Sequence, residues 1–352
     1  MRWAPVPLSG SKAAFMFWGL VFGCSFAAAT ALGALTGCDT TCDRRNSPAS
    51  ADGGVASLSD APAALDGAIP WDASSDANAS ADAVVSPDAS PSGGNLIVGF
   101  RASRIPIHPF PPPEYWSNVA SSLSSRVAGS QPGGVWIVGL VSDEGDCMLE
   151  FPSNGASLDH VTFKEEDLAE HYLAHFDATG VSVWLQVEPG LSDVSAVMSL
   201  VMSRYGHHPS VLGFGLDVEW LGYPEHPQGR PVSDEEARQL RNTLRTFNPS
   251  YRLFLKHWLK EMMPPSEREG LLFINDSQGF SGLNDMVEEF KGWGSRFAPW
   301  PVAFQFGYEN DEGWWSALSA PFESISTPVL SSIPNTAGLF WVDFTLTKLF
   351  PP

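Results

Sequence analysis

Eight short runs of β-branched and aromatic residues, each followed by a helix-like stretch, predict a single (β/α)8 barrel over residues 95–352. The 258 residues of that region suit one such barrel, and it holds ten of the thirteen Trp, enough for one large core. A third observation is that polar side chains gather at the C-terminal ends of most runs, where this fold opens onto a pocket.

Strands are expected at Leu96–Arg101, Val135–Val141, Val181–Glu188, Val211–Glu219, Tyr251–His257, Leu271–Asn275, Val302–Gly307 and Gly338–Phe344. Helices fit between them at Glu114–Val127, Glu165–Phe176, Asp193–Tyr205, Asp234–Phe247, Gly282–Trp293 and Trp314–Leu318. Ser233-Asp-Glu-Glu236 has the form of a capping box with acids in the first turn, which starts the fourth of these helices. Pro111–Pro113 and Pro264–Pro265 punctuate loops.

Side-chain alternation assigns the faces. In the fourth run Gly213, Gly215, Asp217 and Glu219 share one side while Leu212, Phe214, Leu216 and Val218 share the other. Bulky residues on one face and small, then acidic, residues on the other suit a strand that points into a crowded barrel and ends at its mouth. The third run turns Ser182, Trp184, Gln186 and Glu188 inward, and the seventh Ala303, Gln305 and Gly307. The eighth aligns Trp341 with Asp343, and the end of the sixth puts Asp276 and Gln278 in phase. The expected mouth therefore collects Arg101, Asp143, Glu188, Asp217, Glu219, Asp276, Gln278, Gln305, Asp343 and either Lys256 or His257, since a bulge would exchange the last two.

Two carboxylates in different environments can divide the work of cleaving a glycosidic bond, one protonating the leaving oxygen and one stabilising the oxocarbenium-like centre. Glu219, nearer the strand end, is the expected acid. Asp217, deeper and closer to donors such as Gln305 or Lys256, is expected to stay charged. Glu188, Lys256, His257, Asp276, Gln278, Gln305, Tyr308, Trp341 and Asp343 are the expected substrate-binding residues, supplying hydrogen bonds and stacking faces to sugar rings. The bland alternative is a structural salt-bridge network.

The string Gly213-x-Gly215-x-Asp217-x-Glu219 is similar to the fourth-strand signature of the chitinase and endo-N-acetylglucosaminidase family of barrels, Gly-x-Asp-x-Asp-x-Glu. That resemblance implies that Glu219 is the proton donor and that Asp217 orients a substrate acetamido group acting as internal nucleophile. Gly215 stands where the family keeps its first Asp, a departure that touches the proton-relay part of the mechanism. Gln305-Phe-Gly-Tyr308 is similar to the family's Met-x-Tyr element, though on a different strand, and Trp341 agrees with its Trp on strand eight. An Asp-x-Glu at a strand end also looks like the lysozyme-type muramidases on a related barrel, so the implied class is broad.

The N-terminal segment reads differently. Arg2 and Lys12 precede the mostly apolar Ala13–Thr36, and Leu35-Thr36-Gly37-Cys38 closes it. This resembles a bacterial lipoprotein signal over residues 1–37 with its lipobox, implying a mature chain lipidated at Cys38; an uncleaved anchor is the alternative, since the run is long enough to span a membrane. Either places the rest of the chain in the cell envelope outside the cytoplasm. Residues 38–94 are Ala, Ser, Asp, Pro and Gly with few large apolar side chains, the composition of a disordered tether.

Residues 95–352 carry 16 Lys and Arg against 31 Asp and Glu, a net charge of −15 that argues against a nucleic-acid partner. A monomer without cofactor or metal is expected. Cys42 and Cys147 are expected as free thiols. His171 and His175 have a zinc-compatible spacing beside Glu170 but are assigned to a solvated helix face, and His207-His208 to capping a helix end. A cation held by Asp217, Glu219, Asp276 and Asp343 is a further option, because clustered carboxylate oxygens suit calcium or magnesium. The two function classes that remain are a membrane-anchored glycoside hydrolase and an inactive glycan-binding lipoprotein.

Overall fold

The computed structural model describes residues 96–352. The expected lipoprotein signal, Cys38, Cys42 and the expected tether lie outside the described residues. Strands β1 (Ile97–Ala102), β2 (Gln131–Val141), β5 (Ser182–Val187), β6 (Val211–Asp217), β7 (Arg252–Lys256), β8 (Leu271–Asn275), β9 (Val302–Phe306) and β10 (Thr336–Val342) pair in parallel in that order, and β10 pairs with β1 to close the cylinder. All eight expected strands are present. The near-continuous apolar runs follow from burial on both faces, as parallel sheets require.

Two short strands were not legible. β3 (Cys147–Leu149) lies antiparallel to the end of β2, and β4 (Val161–Phe163) pairs with β3. Three residues are too few to carry a period. Among the helices, α1 (Pro113–Ser124), α2 (Glu170–Thr179), α3 (Val194–Tyr205), α4 (Asp234–Phe247), α5 (Leu283–Phe297) and α6 (Glu312–Trp315) fall on the expected stretches. Helix α4 opens on the expected reciprocal cap, Ser233 Oγ accepting from the Glu236 amide and Glu236 from that of Ser233. Helix α7 (Pro321–Ser332) has Pro321 in its first turn, where a missing N–H costs nothing, and Pro328 in its interior, which disguised it. Helix α8 (Asp343–Leu349) begins where a strand was expected to continue.

Two cores result. The larger lies between barrel and helices and takes Phe100, Trp136, Phe214, Phe273, Phe304 and Trp341 from the strands' outer faces. The smaller fills the barrel with Ile97, Val135, Trp184, Phe254, Leu272, Ile274, Ala303 and Phe340. A bulge between Val211 and Gly213, where Gly213 adopts φ 146°, sends Leu212 against this inner cluster instead of outward with Phe214. The inner plug closes the lower barrel and leaves the upper layer for polar groups.

Candidate functional site

Two residues beyond the apolar plug, the inward face turns polar. Lys256 follows Phe254 on β7 at the same parity and is 3 % exposed. Its Nζ lies 2.9 Å from Asp217 Oδ2 at the end of β6 and 2.5 Å from Asp276 Oδ2 just beyond β8. Gln186 on β5 adds a donor, with Nε2 3.1 Å from the same Asp217 oxygen. The donors to Asp217 are thus Lys256 and Gln186, not Gln305. His257 points elsewhere: its Nε2 donates to the Gln228 carbonyl at 3.0 Å while Nδ1 accepts from the Leu259 amide at 2.8 Å. The choice between the two neighbours is settled for Lys256, and the expectation of His257 at the pocket is corrected, because both of its ring nitrogens are engaged in the loop.

Glu219 does not continue β6. The strand ends at Asp217, and Val218–Trp220 form a single 3-10 turn that carries Glu219 to a half-buried position at the margin of the mouth. The alternation that put both acids on one strand face therefore stops one residue short. A loop fixes the turn from above: Gly229, at φ 76°, comes so close that a Cβ there would sit 1.9 Å from the Val218 carbonyl oxygen.

The electrostatics follow from burial with few counter-charges. Burial drives the Glu219 carboxyl well above the usual carboxylate range, Lys256 opposing and Asp217, Asp276 and Glu188 adding to it. Burial also raises Glu188 to about 7, with Asp217 pushing the same way and Arg101 against; its Oε2 accepts from the Val141 amide at 3.1 Å. Asp217 is 1 % exposed and is likewise raised by burial, although Lys256 pulls it down. The expected contrast between a raised Glu219 and a freely ionised Asp217 is thus replaced by a set of carboxyls all pushed upward by burial, of which Glu219 is the most accessible.

Gln305, inward on β9, accepts at Oε1 from the Tyr308 hydroxyl at 3.3 Å. Burial raises the Tyr308 phenol and keeps it neutral. Gln278 accepts at 2.8 Å from Asn310 and lies on the rim. Asp343 stands apart from the Lys256 cluster: Arg101 Nη1 is 2.7 Å from its Oδ1 and the Ser103 amide donates to its Oδ2. The four-acid cation cluster is corrected accordingly, since Arg101 claims Asp343 and Lys256 claims Asp217 with Asp276.

Trp341 is also corrected. It is in register with Phe100 and Phe306, packs against Trp315 with ring centroids 5.2 Å apart, and donates to Thr345 Oγ1 at 2.8 Å, fully buried beneath the helices. Phe340 takes the inward position, and because Asp343 begins a helix, strand parity does not link it to Trp341. Asp143 is exposed in the β2–β3 turn. Cys147 is a buried free thiol.

Gly215 has a physical explanation. A Cβ at this position would lie 2.0 Å from Cζ of Phe254, whose ring covers the glycine inside the barrel. An aspartate cannot occupy position 215 while Phe254 keeps its place.

Buried polar atoms without a hydrogen-bond partner cluster here, namely Gln186 Oε1, Asp217 Oδ1, Asp276 Oδ1 and Gln305 Nε2. Each such atom costs about 1–3 kcal/mol. Stability alone does not account for this layer. A separate cavity of about 570 Å³ lies behind β6, lined by Ser192, Leu216, Leu221, His226 and Glu236, and contains none of the mouth carboxylates.

A scan against protein-family models and a search of curated proteins gave no match. Among solved structures the chain is similar to an endocellulase from Pyrococcus horikoshii (11 % identity, 70 % of this chain and 84 % of that chain, TM-score 0.43). It is also similar to an endo-1,4-β-mannanase from Eisenia fetida (9 %, 71 % and 85 %, TM-score 0.41). A Bacteroides thetaiotaomicron protein provisionally described as an α-L-fucosidase gives 10 % identity over 72 % of this chain and 86 % of that one, TM-score 0.43. At these scores the likenesses carry no argument about activity; the class of the molecule, a closed (β/α)8 barrel with an acidic mouth, rests on its own coordinates.

Proposed function

We propose that the barrel mouth cleaves a glycosidic bond in a polysaccharide or peptidoglycan glycan, with Glu219 as the proton donor. The observation that carries this reading is the placement of Glu219: it is half-buried at the margin among three other carboxyl groups, and burial pushes its carboxyl well above the usual carboxylate range, the direction an acid for a leaving oxygen needs. Asp217 acts from beneath, with one oxygen fixed by Lys256 and Gln186 and the other without a partner. Gln305, Tyr308, Glu188 and Gln278 supply hydrogen-bonding groups around them. The finer reading, amino-sugar glycans, rests on the Gly213–Glu219 resemblance. A lipid at Cys38 would hold the barrel to a membrane outside the cytoplasm, which radiolabelled fatty acid incorporated by wild type and not by Cys38→Ala would support.

The test is release of glycan fragments by wild type and Glu219→Gln. Loss of about 10²- to 10⁴-fold in kcat is expected for removal of a general acid. Wild type inert across amino-sugar and neutral glycans, or a variant with full rate, would sink the assignment. A second reading is glycan binding without cleavage. It is favoured by the lysine that ties up Asp217, only 1 % exposed, and by the ring that fills the space over Gly215. Glycan-array binding without turnover, unchanged by Glu219→Gln, would support it.

A further inference from the structure

Away from the mouth, the start of α2 and the end of α3 bring three ligand-type side chains together. His207 and His208 follow α3, Glu170 opens α2, and their ligand atoms lie within 4.8 Å of one another. His208 Nε2 is 3.4 Å and His207 Nε2 3.8 Å from the same Glu170 oxygen, Oε1. Ligands about 2.0–2.1 Å from a tetrahedral zinc stand roughly 3.3 Å apart, so the trio needs little movement to share an ion.

Hydrogen bonds on the far side of each ring fix which nitrogen is available. His207 Nδ1 donates to the Arg204 carbonyl at 2.9 Å, and His208 Nδ1 to Asp177 Oδ2 at 2.6 Å. With each Nδ1 engaged on its far side, Nε2 is the nitrogen that faces Glu170 and the one a neutral ring would offer to a metal, the carboxylate–histidine or carbonyl–histidine arrangement that orients metal ligands. His208 is 4 % exposed, and its buried Nε2 has no hydrogen-bond partner. That atom faces the Glu170 carboxylate, 3.4 Å away and out of hydrogen-bond geometry.

The scaffold is rigid at this point. Asp167 Oδ1 accepts from the Glu170 amide at 2.9 Å and from the Tyr205 hydroxyl at 2.8 Å, while Oδ2 accepts from Arg204 Nε at 2.6 Å. One carboxylate thus ties the residue bearing the oxygen ligand to the helix end bearing both imidazoles. The Ser210 amide donates to Asp177 at 2.9 Å and holds the group behind His208. The pair expected to have zinc spacing is not the one gathered here, since His175 Nε2 is 2.9 Å from Ser117 Oγ.

We propose that Glu170, His207 and His208 bind one divalent transition-metal ion of the zinc class, with water completing the shell on the exposed side. Two imidazoles and a carboxylate suit zinc better than calcium or magnesium, which prefer oxygen throughout. The ion would clamp α2 to the turn that feeds β6, the strand that ends at Asp217.

The experiment is titration of full-length, tag-free protein with ZnCl2 by calorimetry, with Co(II) absorption and ¹⁵N shifts of the imidazoles as further readouts. One ion per chain is expected, with Nε2 of both His207 and His208 shifted and both Nδ1 remaining protonated. Glu170→Gln and His207→Ala alter exposed side chains and should fold; each is expected to weaken binding by roughly tenfold or more, and Asp177→Asn by about 10- to 100-fold. His171→Ala is expected to bind as wild type does. No binding by wild type, or undiminished binding in the Glu170→Gln/His207→Ala double variant, overturns the proposal.

Discussion

Two buried ion-pair clusters share the mouth of this barrel, and they differ in how completely they are satisfied. On the β1–β10 side, Arg101 meets one oxygen of Asp343 and the Ser103 amide meets the other, leaving neither oxygen idle. On the β5–β8 side one lysine serves Asp217 and Asp276 together, each keeps an oxygen with no partner, and Glu188 and Glu219 stand nearby with raised carboxyls. The first cluster closes the barrel. The second leaves buried carboxyl oxygens without partners beside carboxyls pushed upward by burial, and the proposed chemistry is placed there.

The sharpest way to break this contrast, after loss of turnover in Glu219→Gln, is to remove each cation in turn. Lys256→Met strands two buried carboxylates and is expected to cost about 3–5 kcal/mol in denaturant unfolding, more at alkaline than at acidic pH. Arg101→Met leaves Asp343 its Ser103 amide and is expected to cost less, about 1–3 kcal/mol. Equal costs, or a larger one for Arg101, would erase the distinction.

Protonation offers a second probe, of similar or slightly smaller size. Glu188 is raised from 4.5 to about 7, so the native state keeps a proton that the unfolded chain has released. Its contribution is fully present below pH 4.5 and is lost as pH rises to about 7. Unfolding curves at pH 5 and 7.5 should show wild type losing on the order of 3 kcal/mol that Glu188→Gln does not lose. Glu150, also raised to about 7 by burial, contributes in the same window and remains in the variant. A wild type and variant with parallel pH profiles would show Glu188 to be ionised throughout. Gly215→Ala, whose added methyl meets Phe254, should cost about 1–3 kcal/mol by thermal unfolding, the same range as Arg101→Met. A neutral outcome would mean that the ring yields easily and that space for an acid at 215 is available.

The strands were readable because each is buried on both sides and carries a dense apolar run. The inward positions of Gln186, Asp217 and Gln305 followed from alternation alone. Parity failed where the backbone left the extended state: at Glu219, lifted by a 3-10 turn, and at Trp341, whose supposed partner Asp343 already belongs to a helix. Nothing local could distinguish Lys256 from His257, because the answer lies in the carbonyl of Gln228, 29 residues away. The gathering of His207, His208 and Glu170 was equally hidden. Each residue has an ordinary local role, and only the packing of α2 beside the end of α3 makes them neighbours. The missing partner on His208 is a property of three dimensions.

Lys256 also has a practical consequence. Residues 95–352 contain five lysines, and Lys164, Lys260, Lys291 and Lys348 reach the surface while Lys256 is sealed between two acids. An amine-acylating reagent should therefore mark four sites at once and the fifth only when the cylinder parts. The rate at which that last adduct accumulates in a mass spectrum is a built-in clock for opening of the barrel.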